Sequence, residues 1–297
     1  MSYFEKHPMI LIAVGIIGIS LSSILVKYSQ APSAVTAAYR LLWTVLLMSP
    51  AVFLSKKRRT ELAHTDRTTL LLCAVSGVFL ALHLAIWFES LRHTSVASST
   101  TIVCTEVIWV ALGWCFFLKG RLTGKACLAI AVTVAGSIII AFSDSSGGGS
   151  HLYGDILALL AAWATAVYTL IGRIARTSTS TTIYTYLVYI ASAITLLLIT
   201  LAQGCPLTGY GMSGIVVGLL LAIFSTILGH SIFSWCLKFL SPTFVSASKL
   251  CEPVVAAVFA AFLFHEIPRP LQVIGGAVIL GGVIFYSRIE SRSSQAS

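Results

Sequence analysis

Three ionisable residues lie inside long apolar stretches of this 297-residue sequence: Glu106, Lys249 and Glu252. A charged side chain in the hydrocarbon core of a membrane costs about 2.5–3.5 kcal/mol on insertion scales, so such residues mark functional sites. At about 1.5 Å of rise per residue, the positions of Glu106 and Glu252 in their stretches place both near half depth. Pro253 lacks an N–H and cannot bond the carbonyl of Lys249. We therefore expect a kinked, polar pocket beside this charged trio.

Two interpretations of the trio are open. Lys249 and Glu252 are one turn apart on the expected helix, so they could bind a solute or lock the register of two helices as a buried pair. Glu106 has no basic residue within a turn of its own helix. It is expected either to pair with Lys249 from the other half of the chain or to carry protons.

Aromatic and imidazole side chains form the second group of candidates. His83 and Trp87 are four residues apart and share a helical face, which can line a cavity for cationic or ring-bearing solutes. His230 is a candidate for contact with the substrate, and Trp163 is a weaker candidate for the lining. The alternative for each is a residue packed in the core.

Arg40 lies near the start of an apolar stretch and Lys27 near the end of the preceding one. They are expected at the mouth of the spans, either as a ring of charge on the outer side or as side chains that snorkel to the interface. Arg40 is also a candidate residue for substrate binding or coupling.

Signatures of catalysis are missing from the sequence. The pair His265-Glu266 begins like a zinc-binding helix motif, but Arg269 stands where the second histidine is required. Six of the seven cysteines lie in apolar runs, and their positions do not indicate a disulfide framework. We therefore predict no enzyme, catalytic residue, metal site or cofactor.

The elements that position these residues follow from composition. Hydrophobic residues make up 57% of the chain and charged residues 10%, against roughly 25% charged in a soluble domain. The mean hydropathy is +0.94 over the whole length. This excludes soluble enzymes, nucleic-acid-binding modules and disordered proteins, and makes the lipid bilayer the main partner.

The predicted fold class is all-α and membrane-integral, with ten transmembrane helices. Cutting the apolar stretches at charges and at Pro, Gly and Ser clusters gives spans over residues 9–26, 36–54, 69–88, 96–118, 124–142, 154–174, 182–201, 214–237, 243–264 and 270–286.

Basic residues set the expected orientation. With the N-terminus inside, fourteen Lys and Arg residues fall on the cytoplasmic side, and four (Lys27, Arg40, Arg92 and Arg269) fall on the other. Both termini are thus predicted to be cytoplasmic, and the run 56–59 is interpreted as a positive-inside loop rather than a site for anionic lipid or nucleic acid.

An internal repeat is expected. A shift of 146 positions places Glu106 on Glu252 and superposes the span boundaries. We predict a first five-span repeat over 1–143, a linker over 144–151, a second repeat over 152–287 and an unstructured polar tail over 288–297. Because each repeat has an odd number of spans, the two enter the membrane from opposite sides.

The sequence resembles EamA-type members of the drug/metabolite transporter superfamily. The resemblance is carried by short sequence motifs: ALHLAIWF at 81–88, TSVASS at 94–99, LGHS at 228–231, CEPV at 251–254 and FHE at 264–266. The resemblance implies a carrier of the bacterial inner membrane, often an exporter of amino acids or related metabolites, which works by alternating access and occurs as a monomer or homodimer. Glu106-Val107 departs from the family's usual neutral residue and proline. This extra acid points to a cationic substrate or proton coupling.

The functional prediction is therefore a secondary transporter of a small polar or cationic metabolite. The alternatives are an importer or exchanger, efflux of drugs or organic cations and, with less support, an intramembrane enzyme or receptor.

Overall fold

The computed structural model describes residues 8–94, 96–144, 152–264 and 270–295. These residues form helices, and no strand occurs among them. Inside lipid a backbone must satisfy its hydrogen bonds within its own segment, which a helix does. The expected linker, apart from Asp144, lies outside the described residues, as do His265, Glu266 and Arg269.

Among the described residues, seven helices precede the expected linker. They are α1 Pro8–Val26, α2 Ser33–Phe53, α3 Lys56–Ala63, α4 Arg67–His93, α5 Val96–Val103, α6 Glu106–Phe117 and α7 Gly124–Asp144. The short basic helix α3 was not expected from the sequence.

The helices after the linker repeat much of this pattern. They are α8 Leu152–Ala175, α9 Thr181–Ala202, α10 Gly211–Leu220, a π-helical segment Leu221–His230, α11 Ser231–Cys236, α12 Pro242–Lys249, α13 Glu252–Phe264 and α14 Pro270–Gln295. Because α14 continues to Gln295, the prediction that the tail after residue 287 has no fold is wrong for its described part.

Polar residues begin several helices by accepting a hydrogen bond from an otherwise unpaired backbone N–H. Asp66 accepts from the Thr69 amide at 2.9 Å, and Ser241 accepts from the Phe244 amide at 3.2 Å. Ser180 caps α9 in the same way. These caps lie where the apolar stretches begin, so they set the entry point of each helix.

Seven described stretches are long and apolar enough to cross a membrane: Pro8–Val26, Ser33–Phe53, Arg67–His93, Ser99–Phe117, Leu152–Ala175, Thr181–Ala202 and Gly211–Cys236. They confirm seven of the ten expected spans by length and composition. Gly124–Ile139 and Val273–Ile289 are shorter apolar helices. The expected ninth span consists of α12 and α13.

The fourth and ninth expected spans are both broken near their middle. In the ninth, the break between Lys249 and Glu252 lies where Pro253 predicts a kink. In the fourth, α5 ends at Val103 and α6 begins at Glu106 without any proline. At this break the backbone forms a hydrogen bond of the 3₁₀ type, in which the Thr105 amide donates to the Ile102 carbonyl three residues earlier at 3.0 Å.

The two breaks correspond in position. A shift of 146 residues places Val96–Val103 on Pro242–Lys249, and the first residue of α6, Glu106, on the first residue of α13, Glu252. Each carboxylate thus begins the second part of a broken helix, where the partial positive charge of the helix N-terminus favours an acidic side chain.

Glycines bring two pairs of helices close together. An added Cβ at Gly18 would lie 2.6 Å from the Phe224 carbonyl oxygen, so α1 packs directly on the π-helical segment. An added Cβ at Gly282 would lie 2.4 Å from the Thr133 hydroxyl, which joins α7 and α14. The first contact positions the segment that ends at His230.

Candidate functional site

A cavity lies between helices from both parts of the chain. Seven of the eight predicted site residues line it: Arg40, His83, Trp87, Glu106, His230, Lys249 and Glu252. The remaining lining residues are Ile19, Ser22, Val103, Cys104 and Thr165.

Glu106 and Lys249 form an ion pair across the cavity wall. The Lys249 Nζ lies 2.8 Å from Glu106 Oε1, and the two residues are 8% and 3% exposed respectively. Lys249 Nζ also lies 5.5 Å from the centre of the Phe233 ring. The expectation that Glu106 pairs with Lys249 from the other half of the chain is confirmed.

Lys249 and Glu252 were open either to bind a solute or to form a buried pair, and no ion pair joins them among the described residues. Lys249 ends α12 and Glu252 begins α13, so the helical face that they were expected to share is interrupted between them. The freed carbonyl of Lys249 instead accepts a hydrogen bond from the Cys104 thiol at 3.7 Å. The two helix breaks therefore touch each other through backbone and side chain.

Glu252 is buried in the cavity wall and forms no ion pair within the described part of the chain. The residue is 6% exposed, and Oε1 has no hydrogen-bond partner among the described residues. Its backbone carbonyl accepts from the Ser20 hydroxyl at 3.4 Å. The carboxylate thus lines the cavity with an unused acceptor.

Arg40 lies deeper than the sequence predicted. Because α2 begins at Ser33, three residues before the expected span, Arg40 lies two turns inside the helix and is 1% exposed. Its Nε donates to the Thr226 hydroxyl at 2.7 Å and its Nη1 to the Ser22 hydroxyl at 3.2 Å. The expected ring of outer charge with exposed Lys27 is therefore wrong for Arg40.

Three rings form one wall of the cavity. His83 stacks on Trp87 with 5.9 Å between ring centres, and His230 lies 6.3 Å from His83. His83 Nδ1 lies 3.0 Å from the Ala161 carbonyl, which only accepts, so Nδ1 carries the hydrogen. The buried indole N–H of Trp87 has no acceptor among the described residues.

Trp163 is separated from this group. It is 46% exposed on the outer face of α8, where its ring contacts Phe79 edge-on at 5.4 Å. Thr165, two residues further along the same helix, lines the cavity instead. Two residues turn a helix by more than half a revolution, which explains why one residue faces the cavity and the other faces out.

Cys104 and Thr165 were missed by reasoning from the sequence. Cys104 lies within the break of the fourth span, and only its position two residues before Glu106 could have signalled it. Thr165 is a polar residue on the strongly one-sided helix α8, whose buried residues follow a helical period.

The fold and the cavity together define a class of protein. Several helices long enough to cross a membrane surround an internal space lined by buried charges, which is the arrangement of a multi-pass membrane protein. The EamA-like transporter family model matches the chain twice, over residues 7–142 and 152–288. The chain belongs to the EamA-like transporter family, within the drug/metabolite transporter superfamily. The resemblance based on its motifs is thus confirmed, and the protein is a membrane transporter.

Similar proteins carry names of the same kind. An uncharacterized transporter of Clostridium kluyveri is 25% identical over 267 residues, covering 88% of this chain and 85% of the relative. The uncharacterized transporter YwfM of Bacillus subtilis is 26% identical over 263 residues, covering 87% and 86%. One of Archaeoglobus fulgidus is 25% identical over 255 residues, covering 83% and 85%.

A solved crystal structure has the same fold. Its TM-score is 0.78, with 97% of this chain and 98% of that chain covered, at 16% sequence identity.

Proposed function

We propose that this protein is a secondary transporter that moves a small polar metabolite across the bacterial inner membrane by alternating access. The observation that carries the proposal is the cavity, which is lined by four buried charged residues: Arg40, Glu106, Lys249 and Glu252. Buried charges inside a membrane protein are costly and are kept where a solute or ion passes. Export of amino acids or related polar and cationic compounds is the expected direction and class.

The proposed architecture is two inverted five-helix repeats, ten transmembrane helices in all, within residues 1–143 and 152–287. Its support is the double family match and the common boundaries of the two broken spans after a shift of 146 residues. Broken helices and sites near the midplane are typical of transporters with inverted repeats. The ion pair between Glu106 and Lys249 joins the two proposed repeats across the site.

The proposed orientation has both termini in the cytoplasm. Fourteen basic residues fall on that side in the ten-span arrangement, and the burial of Arg40 removes one of the four on the other side. Short loops rich in Lys and Arg stay inside. Cysteine labelling of whole cells at Lys57→Cys and Lys27→Cys tests this orientation, in a background from which the accessible native thiols of Cys115, Cys127 and Cys205 have been removed. Only the thiol introduced at position 27 is expected to react with an impermeant maleimide.

Proton coupling is part of the proposal and is assigned to Glu252. Glu106 is occupied by Lys249 at 2.8 Å, whereas Glu252 Oε1 has no partner among the described residues. Glu252→Gln is expected to abolish uptake driven by an imposed pH gradient and to leave counterflow exchange measurable. Unchanged gradient-driven uptake in Glu252→Gln would remove the coupling role.

The transport function itself is tested by flux out of sealed proteoliposomes. Purified protein is reconstituted with amino acids, organic cations, sugars or nucleosides inside, and the exit of unchanged solute is measured. Thermal stability in detergent identifies the solute first, because a ligand at about 100 times its dissociation constant adds about 2.7 kcal/mol. Efflux of an organic cation would favour the drug-efflux alternative, and chemical change of the solute would favour an enzyme.

A further inference from the structure

We propose that the short helix α3 is a docking surface for an anionic lipid, whose headgroup phosphate binds the exposed basic side chains of the helix. This inference concerns the surface of the protein rather than its cavity, and it goes beyond the proposed transport function. The sequence favoured a positive-inside loop over a lipid site for the run 56–59. The structure forms a helix there instead, which gives the basic side chains a defined face.

The position of α3 is fixed by contacts on its inner side. Leu62 packs against a small buried apolar cluster formed by α2 and α9. Glu61 Oε1 accepts a hydrogen bond from the Ser180 amide at 2.7 Å, and Arg58 Nη1 donates to the Ala51 carbonyl at 2.7 Å. These contacts turn one side of the helix toward the protein and the other side away from it.

The outward side of α3 is basic. Lys56, Lys57 and Arg59 are exposed, and together with Arg58 they occupy the first four positions of the helix. The partial positive charge of a helix N-terminus disfavours cations at these positions. Lys56 and Arg59 are also three residues apart, a spacing at which like charges repel each other. The helix therefore gathers positive charge where helix formation alone disfavours it, which points to an anionic partner.

No ion pair neutralises these basic residues in the described part of the chain. The two acidic residues nearest in the sequence accept hydrogen bonds from backbone amides instead. Glu61 accepts from the Ser180 amide at 2.7 Å, and Asp66 accepts from the Thr69 amide at 2.9 Å. A phosphate group, which accepts charge-assisted hydrogen bonds from Lys and Arg, supplies the missing negative charge.

Apolar side chains beside α3 favour a lipid over a phosphate in solution. Phe53 and Leu54 lie at the end of the preceding apolar span and are 51% and 85% exposed. In a membrane these side chains contact acyl chains, and Lys56 follows only two residues later. Clusters of basic residues directly next to a transmembrane helix attract anionic lipids. A lipid contacts both the apolar and the basic part of this surface, whereas a soluble phosphate contacts the basic part alone.

The test compares three ligands of the purified full-length protein in detergent micelles, by native mass spectrometry and thermal stabilisation. Phosphatidylglycerol has a charged headgroup and acyl chains, phosphatidylcholine has the same chains without net charge, and glycerol phosphate has the charge without the chains. We expect phosphatidylglycerol to bind at least tenfold more tightly than either of the others. Equal binding of the two lipids, or equal binding of glycerol phosphate and phosphatidylglycerol, overturns the proposal.

A triple variant locates the binding on α3. A basic residue near a membrane surface raises the affinity for anionic lipid about fivefold at low ionic strength. The combination of Lys56→Gln, Lys57→Gln and Arg59→Gln should therefore weaken phosphatidylglycerol binding on the order of a hundredfold and leave phosphatidylcholine binding unchanged. If the triple variant does not fold, Lys57→Gln and Arg59→Gln alone should each cost about fivefold.

A matched variant separates this surface from the general positive charge on the side proposed to be cytoplasmic. The combination of Arg121→Gln, Lys125→Gln and Lys238→Gln removes three exposed basic residues near the ends of other helices. This protein should bind phosphatidylglycerol within about twofold of the wild-type affinity, because surface charges beyond a Debye length are screened. An equal loss in the two triple variants would mean that binding follows net charge alone, and a docking surface on α3 would be refuted.

Discussion

Replacement of Lys249 by methionine should destabilise the protein, because it leaves the Glu106 carboxylate buried and unpaired. The two charged atoms are 2.8 Å apart. At an effective dielectric constant of about 20, Coulomb's law gives a gross attraction of about 6 kcal/mol at this distance, from which the cost of removing both charges from water must be subtracted. Loss of one partner from such a buried pair typically costs about 3–5 kcal/mol.

Thermal unfolding in detergent measures this cost. Unfolding entropy scales with chain length, so 1 kcal/mol corresponds to about 1.6 °C for a chain of this size, and Lys249→Met should lower Tm by about 5–8 °C. The double variant Glu106→Gln with Lys249→Met should recover much of this loss, because it removes the stranded charge along with its partner. As a control, Lys238→Met removes an exposed lysine from the connection between α11 and α12 and should leave Tm within about 1 °C of the wild-type value.

Additive effects of the two substitutions on the free energy of unfolding would contradict a stabilising interaction between Glu106 and Lys249. If the loss in the double variant equals the sum of the two single losses, the carboxylate and the ammonium group do not interact energetically. A Lys249→Met protein as stable as wild type would show that the cavity solvates Glu106 and that its pairing with Lys249 contributes nothing.

Two further predictions concern packing and capping. Gly282→Ala should lower the free energy of unfolding by about 1–3 kcal/mol, because the added Cβ would lie 2.4 Å from the Thr133 hydroxyl. Gly281→Ala is the control, since its added Cβ would have nothing within 4 Å. Equal melting temperatures of the two variants would contradict the close approach of the helices at Gly282. Hydrogen bonds from Thr69 hold the pKa of Asp66 below its ordinary value of 3.8. The ionised cap therefore stabilises the folded state at neutral pH. This contribution is lost as the pH falls through the folded-state pKa of Asp66. Asp66→Ala should therefore lower Tm at pH 7 and match wild type at the acid end of a pH series; a difference that persists in acid would contradict this linkage.

Much of the fold could be predicted because hydropathy is a local property of the chain. Apolar stretches of about 20 residues must form helices in lipid, and the structure places seven of the expected spans within a few residues of their predicted bounds. The break at Pro253 was predictable for the same reason, since a missing N–H acts within one turn. The break before Glu106 has no such marker.

The charged residues of the candidate site could be predicted from the sequence, but the ion pair that two of them form could not. Burial cost alone singled out Glu106, Lys249 and Glu252, because an ionisable side chain in an apolar run is conspicuous in any sequence. Which carboxylate faces Lys249 depends on the rotation of α6, α12 and α13 about their axes, and the helix break changes that rotation.

The sequence by itself determined that this chain is a helical membrane protein with a few costly charges at half depth, because these features follow from local composition. Only the tertiary structure decided that Arg40 is a buried cavity residue, that Trp163 faces outward and that Glu252 Oε1 has no hydrogen-bond partner among the described residues. Those outcomes depend on distances between helices far apart in the chain, which the order of residues along one helix does not specify.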